Sequence, residues 1–371
     1  MSFFQICAIL LYLAAGLCIF LVLFNRYLIL LPERRTKAPA IVAVFVAICG
    51  AAVLAGLSLD RTPWVFAPAA VLGFISVGEA RRAFIRRSCT GSKPIDSPPH
   101  EALFTHPFTT TDLITHRFEV NHPKWSGPRL RIALLTDLHV HPRMSAAYYQ
   151  RVLEVAEQTQ PDLAVFTGDF VANQDCIPRL RQVLRPIAAT ETFAVLGNHD
   201  YWTNPEAISS AVKAAGLRLL RDESVTVAVK GNTTTVTGYD YPWGTKEQAI
   251  PPSQGDRLHL VLSHTPDNIY RLAQSHADIV FSGHYHAGQI RLPLLGPIVV
   301  PSVYGRRFDQ GHFVVNGTHL FVASGIGASN PMLRIYCRPE IVVVDIVGAT
   351  RDDAKKETPG AELFSPPMPT N

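Results

Sequence analysis

The sequence is poor in cysteine, and the cysteines it has are not arranged for pairing. Of six, Cys7, Cys18 and Cys49 lie in apolar runs, and Cys89, Cys176 and Cys337 are scattered. No CxxC spacing occurs, so a disulfide scaffold is excluded and a reducing compartment fits. A strong charge excess is missing too. With 34 Lys and Arg against 30 Asp and Glu, the net charge is +4, much of it in loops near the N-terminus, and no nucleic-acid footprint follows from it. The start, Met1-Ser-Phe-Phe-Gln, lacks the basic residues of a cleaved signal peptide, so the first apolar run is expected to be a permanent anchor. No internal repeat is present.

Charge is also absent from two long stretches. Phe3 to Phe24 and Pro39 to Leu59 hold no charged residue, and each is long enough for a hydrocarbon core of about 30 Å, which needs roughly 20 apolar residues. A third run, Trp64 to Gly78, is shorter and contains Pro68. Together with 47% hydrophobic residues and a mean hydropathy of +0.14, these runs predict a transmembrane region over 1–89 with about three spans (3–24, 39–59, 64–78). Arg26, Arg34, Arg35 and Lys37 lie between the first two runs, and Arg81, Arg82, Arg86 and Arg87 follow the third. With three crossings, both basic segments and everything downstream face the cytoplasm. The second basic segment suits anionic lipid headgroups. The expected location is a membrane, multi-pass, with the downstream domain cytoplasmic.

Residues 90–109 are polar and proline-bearing and read as a linker. Residues 348–371 read as a disordered tail. Between them, 110–347, short β-branched and apolar runs alternate with helical patterns. Leu130–Thr136, Leu163–Thr167, Phe193–Leu196, Leu258–Leu262 and Ile279–Phe281 read as strands, and Ala146–Gln158, Ile177–Ala189 and Pro205–Ala215 as helices. The fold class is therefore α/β, layered, with two packed mixed sheets flanked by helices after an α-helical membrane region. After Gly288 only strands are expected, forming a second, mainly antiparallel sheet that ends in Ile341–Ile346.

Each of the five strands ends in metal-binding chemistry: Asp137-Leu138-His139, Gly168-Asp169, Gly197-Asn198-His199-Asp200, His264, and Gly283-His284-Tyr285-His286. Singly, each has an ordinary reading as a helix cap or turn residue. Jointly, after five buried strands, they are expected to converge at the carboxyl ends of the strands, where open α/β sheets bind ligands. A mixed imidazole and oxygen set suits Mn, Fe or Zn more than Ca.

The set resembles the calcineurin-like metallophosphoesterase superfamily, whose blocks run D-x-H, G-D, G-N-H-[DE], H and G-H-x-H. The resemblance implies two divalent metal ions, with Mn the first expectation and Fe or Zn alternatives. It assigns Asp137, His139, Asp169 and His286 to the first, and Asp169, Asn198, His264 and His284 to the second. An extended His284–His286 segment would let alternate side chains feed both. His199 is implied as the general acid at the phosphate, with Asp200 orienting its ring. Tyr285 and Ala287 replace the smaller Thr and Gly usual in relatives. Further similarity, through Gly288-Gln289-Ile290-Arg291-Leu292-Pro293, Gly325-Ile326-Gly327, Arg334 and Cys337–Ile341, points to a membrane-associated bacterial branch. That branch includes the chlamydial-type UDP-2,3-diacylglucosamine pyrophosphohydrolase of lipid A synthesis.

The expected function is thus hydrolysis of UDP-2,3-diacylglucosamine to UMP and 2,3-diacylglucosamine 1-phosphate, with the bilayer and a lipid-linked phosphorylated substrate as partners and no nucleic acid. Arg291, Arg306 and Arg307 are possible substrate contacts, equally readable as solvated surface charge. A broad phosphodiesterase or phosphatase on another headgroup or nucleotide is the rival enzyme reading. A non-catalytic, membrane-tethered metal-binding sensor is the rival of another class; it would have no need of His199. His141 lies just outside the motif, and the remaining histidines read as packing or surface residues.

Overall fold

The computed structural model describes residues 3–29, 31, 35–57, 66–96, 106–244, 256–293 and 295–348. The chain divides into two compact units, 1–88 with 299–307, and 89–298 with 308–371. Of the tail expected over 348–371, residues 349–371 lie outside the described residues, as do the linker residues 97–105.

The first unit contains α1 (Phe3–Leu23), continued by a π-helical turn (Phe24–Leu28), α2 (Lys37–Leu57) and α3 (Phe66–Cys89). Among the described residues, two helices are long and apolar enough to cross a membrane, Phe3–Leu28 and Lys37–Leu57. They pack on each other through small residues, with Ala8, Ala15, Ala52 and Gly56 buried, which lets the backbones approach closely. The third apolar run behaves differently. It continues without a break into Glu79, Arg81, Arg82, Arg86 and Arg87 of one 24-residue helix, so its charge-free part is only the first half of α3. Residues Val299–Arg307 fold with these helices, and the Asn25 side chain accepts the Val300 N–H at 2.7 Å.

The second unit has two six-stranded sheets. The first is ordered β1 (Ile114–His122), β14 (Glu340–Gly348), β2 (Leu130–Leu135), β3 (Leu163–Phe166), β4 (Glu191–Ala194), β5 (Arg218–Leu219). The second is ordered β12 (Gly311–Val315), β13 (Thr318–Val322), β9 (Ile279–Ser282), β8 (Leu258–Ser263), β7 (Asn232–Tyr239), β6 (Ser224–Val229). A small hairpin, β10 (Arg291–Leu292) with β11 (Gly296–Pro297), stands apart from both.

Strands with both faces buried read as continuous apolar runs, as β2, β3, β8 and β9 do. Leu134, Val165 and Phe193 of the first sheet meet Leu260, Leu262, Phe281 and Phe321 of the second. Such inner residues each contribute about 1.5–3 kcal/mol by burial. The opposite face of the first sheet carries α4 (Ala146–Gln158), α5 (Ile177–Val183) and α7 (Pro205–Ala214). Ser145 caps α4 by accepting the Tyr148 N–H at 3.2 Å, and Tyr149, Val152, Leu153 and Ala156 form its buried stripe, the spacing of an amphipathic helix.

Three expectations need correction. Both sheets are mixed, as the fold class has it, but the second is not the mainly antiparallel sheet expected after Gly288: β13–β9, β9–β8 and β8–β7 are parallel, and only the outer pairs β12–β13 and β6–β7 are antiparallel. The last strand, β14, joins the first sheet between β1 and β2, because its apolar residues on one face, Val342, Val344 and Ile346, complete the intersheet core. The helix expected to Ala189 stops at Val183, with Leu184 already extended. Pro186 disfavours helical backbone in the residue before it.

Candidate metal centre

The five motif-bearing strands do not share one sheet. β2, β3 and β4 deliver Asp137, His139, Asp169, Asn198 and His199 from the first, and β8 and β9 deliver His264, His284 and His286 from the second. The sheets are stacked with these ends together. Backbone bonds then set the loops side by side: Asp137 N–H to Gly168 O at 2.9 Å, His139 N–H to Asp169 O at 2.9 Å, and Gly283 N–H to His264 O at 2.9 Å. Close approach demands glycine twice. A methyl group on Gly197 would meet Asp169 Oδ1 at 2.2 Å, and one on Gly283 would meet Asp137 Oδ2 at 2.2 Å.

The donor atoms fall into two overlapping sets, and His199 also comes within ligating distance of His139 and Asp169. In the first, His139 Nε2 and His286 Nε2 are 3.0 Å apart. Asp137 Oδ1 lies 3.3 Å from His286 Nε2 and 3.8 Å from His139 Nε2, and Asp169 Oδ2 lies 3.4 Å from His139 Nε2. In the second, the same Asp169 Oδ2 is 3.3 Å from His264 Nε2, which is 3.0 Å from Asn198 Oδ1, and His284 groups with Asp169 and His264. Donors about 2.0–2.2 Å from one ion are separated by such edges. Asp169 belongs to both sets, the position a bridging carboxylate takes.

The buried atoms support an ion rather than a hydrogen-bonded core. Asp137 is fully buried and its Oδ2 accepts from Thr136 Oγ1 (2.8 Å) and His284 N (2.9 Å), yet Oδ1, which faces the histidines, has no hydrogen-bond partner among the described residues. A buried carboxylate oxygen without a partner is costly unless a cation fills the space before it.

Proton affinities fit the same picture. Burial, then the His199 charge, pushes His139 down to about 3. Burial likewise holds His284 and His286 well below the ordinary imidazole value, with neighbouring histidines adding to it, so their ring nitrogens keep lone pairs for a metal. Burial opposes charge on His264, but Asp169 outweighs it and raises the group to about 9. Burial raises Asp137 to about 6.

The ligating backbone is strained. Asp137, His139, Asp169, His284 and His286 all have φ between 39° and 70°, the left-handed region that side chains avoid and that clusters at functional sites. This corrects the expected extended H-x-H. His284 and His286 both have positive φ, Tyr285 is helical between them, and His286–Gly288 forms a tight turn. The pair serves two positions because the chain curls between them.

Asp200 is also corrected. Its Oδ2 accepts the N–H groups of Asp169 (2.8 Å) and Gly197 (2.9 Å), and its Oδ1 that of Phe170 (2.9 Å). The carboxylate therefore ties the β3 loop to the start of α6 (Asn198–Thr203) instead of orienting the His199 ring. His199 N donates to Asp169 Oδ1 at 2.8 Å, and its half-buried ring stands edge-on to His139 with centroids 4.7 Å apart.

Two of the three arginines named from sequence have acidic partners of their own. Arg291 holds Ala287 O (2.8 Å) and Asp309 (3.0 Å), supporting the histidine turn from behind. Arg306 pairs with Glu79 at 3.2 Å in the helical unit, to which Arg307 also belongs. His141 fixes a turn by accepting the Arg143 N–H at 3.1 Å. Among the remaining histidines, His122, His259, His312 and His319 are buried, as packing residues are.

Sequence reading missed three contributors. Trp202 lies 5.3 Å from His199, and Trp243 lies 5.3 and 5.6 Å from His284 and His264, ring centroid to ring centroid. Both indoles are half-exposed beside the cluster. Thr136, a plain strand residue by pattern, holds Asp137. No motif marks a lone aromatic or threonine as part of a site.

Comparison with known proteins agrees with the geometry. Residues 130–288 match the family model for calcineurin-like phosphoesterase. The chain is 28% identical over 242 residues to Phosphodiesterase YaeI of Escherichia coli (strain K12), covering 64% of this chain and 88% of that protein. It is 29% identical over 257 residues to the uncharacterized metallophosphoesterase YkuE of Bacillus subtilis (strain 168), covering 66% and 85%. A zebrafish (Danio rerio) transmembrane protein with a metallophosphoesterase domain is 28% identical over 57% of this chain and 52% of its own length. Matched motifs, relatives and a shared carboxylate between two imidazole sets lead to one assignment: residues 130–288 are a calcineurin-like phosphoesterase region, and the chain is a metal-dependent phosphoester hydrolase.

Proposed function

We propose that the protein is a membrane-anchored dinuclear phosphohydrolase that cleaves a phosphodiester or pyrophosphate carried on a lipid, with UDP-2,3-diacylglucosamine as the substrate and Mn as the native metal. The observation that carries the hydrolytic part is Asp169 Oδ2 lying 3.4 and 3.3 Å from imidazole nitrogens of opposite sets. Asp137, His139, Asp169 and His286 would hold one ion, and Asp169, Asn198, His264 and His284 the other. When bound, the ions supply charge neutralisation at the phosphate oxygens and an activated water.

The protein's own residues do the rest. Asp200 fixes the loops that present Asp169 and Asn198. A hydroxide oxygen bonds to phosphorus as the bond to the leaving oxygen breaks, and His199 gives the leaving oxygen its proton. Half-exposed Trp202 and Trp243 wall the cluster on the His199 side and the His264 side. The lipid part rests on Phe3–Leu28 and Lys37–Leu57: in a bilayer they would keep the enzyme where acyl chains remain in hydrocarbon while the headgroup reaches the ligands. The basic residues flanking the apolar runs favour a cytoplasmic catalytic unit in a bacterial inner membrane if the third run also crosses.

The test is UMP release from UDP-2,3-diacylglucosamine by the detergent-solubilised full-length protein with Mn, beside His199→Ala and a deacylated substrate. Rapid, acyl-dependent release lost in the variant supports the reading. Turnover indifferent to acylation refutes the lipid assignment and leaves a phosphodiesterase of other specificity.

A further inference from the structure

Arg334 is fully buried. A guanidinium in that position normally faces a carboxylate. This one does not: Nε donates to Gly327 O at 2.8 Å, Nη2 to Ser324 O at 2.7 Å and to Gly327 O, and Nη1 contacts Cys337 Sγ at 3.5 Å. Its remaining neighbour is the Nδ1 of His286, 3.3 Å from Nη2. Among the described residues no carboxylate forms an ion pair with it.

The two imidazole sets are therefore backed differently. A metal-bound histidine ordinarily donates its second ring N–H to a carbonyl or carboxylate, which fixes the tautomer and makes the ring a better donor. His264 follows this rule, with Nδ1 2.6 Å from Thr167 O. His286 has a cation at the same place, and among the described residues His139 Nδ1 has no hydrogen-bond partner. The cation also stands close to Asp137: a methyl group on Gly325 would touch Asp137 Cβ at 2.7 Å and Arg334 Nη2 at 3.3 Å. A fixed positive charge one ring away from the metal-facing nitrogen opposes a second cation there. It also withdraws electron density from whatever is held.

We propose that Arg334 is a positioning residue acting through His286, and that it makes the Asp137–His139–His286 pole the weaker and more electrophilic of two unequal metal positions. The pole built on Asn198, His264 and His284 fills first and keeps its ion. The other fills last and exchanges. This inference rests on the two-metal reading of the cluster.

The experiment is a Mn titration of the metal-depleted full-length protein, followed by calorimetry and by electron paramagnetic resonance, which distinguishes an isolated from a coupled ion. Wild type should bind two ions in separate steps, the weaker at least about tenfold looser, within the range that neighbours of a ligand control. His286→Ala should abolish the weaker step and His264→Ala the tighter one. Arg334→Met should tighten the weaker step so that the two converge, whereas Arg334→Lys, which keeps the charge, should leave them apart.

Equal affinities in wild type, loss of the tighter step in His286→Ala, or a weaker step that loosens in Arg334→Met would overturn the proposal. The first two outcomes do not depend on Arg334→Met folding. Fewer than two ions bound to wild type would instead overturn the two-metal reading beneath it.

Discussion

Asp200 accepts the backbone N–H of Asp169 at 2.8 Å, and through this bond an acidic residue outside the ligand sets controls where the shared ligand stands. Replacing it with Asn swaps one acceptor oxygen for a donor facing buried N–H groups. Each such orphan costs about 1–3 kcal/mol. Asp200→Asn is therefore expected to lower the unfolding temperature and the metal content together. Unchanged stability with an altered pH–rate profile would instead favour a role at the His199 ring.

Thr136 offers a gentler probe. Its hydroxyl donates to Asp137 Oδ2 at 2.8 Å, and Val has nearly its shape. Loss of a bond to a metal ligand typically weakens metal affinity about 10–100-fold. Thr136→Val should do so with little change in fold, measured by competition with a chelator. Unaltered affinity would mean that the His284 N–H alone holds the carboxylate.

His199 separates chemistry from binding. Because its ring is not counted among the proposed ligands, His199→Ala should retain two ions while kcat falls about 10²–10⁴-fold, the usual worth of a general acid. The deficit should shrink for esters whose leaving group needs no proton. An equal loss on every ester, with ions lost as well, would make His199 a ligand.

In the second sheet, another pair of histidines sets an acid limit on stability. His312 Nε2 is 2.9 Å from His319 Nδ1 in the outer strands of the second sheet. Burial, reinforced by neighbouring histidines, holds them down to about 3 and about 4. Both are neutral when folded, and an unfolded imidazole titrates near about 6.5. Between these values the unfolded chain binds more protons, so stability falls as pH drops from about 6.5 toward 4 and is indifferent to this pair above neutrality. Metal-free wild type should show that slope in denaturant unfolding, and His319→Gln should flatten it. Parallel slopes would sink the argument.

The site was more legible in sequence than the architecture around it. Asp137, His139, Asp169, Asn198, His264, His284 and His286 could be named because each follows an apolar run that only a buried strand explains, and all seven meet. Which sheet each strand joins was not legible, since buried strands of either sheet read as the same apolar run; β14 went to the wrong one for that reason. The H-x-H geometry was misjudged because a short polar segment carries no sign of positive φ at His284 and His286. Trp243 joins the site by tertiary contact, which leaves no periodicity to read.

The most direct test of the central claim is a Mn titration of the metal-depleted full-length protein with hydrolysis of bis-p-nitrophenyl phosphate as the readout. The account predicts no turnover without metal and a rate that reaches its plateau only when both ions are bound. Turnover that survives complete metal removal, or a plateau at one ion per chain, would contradict a shared Asp169 as the heart of the enzyme.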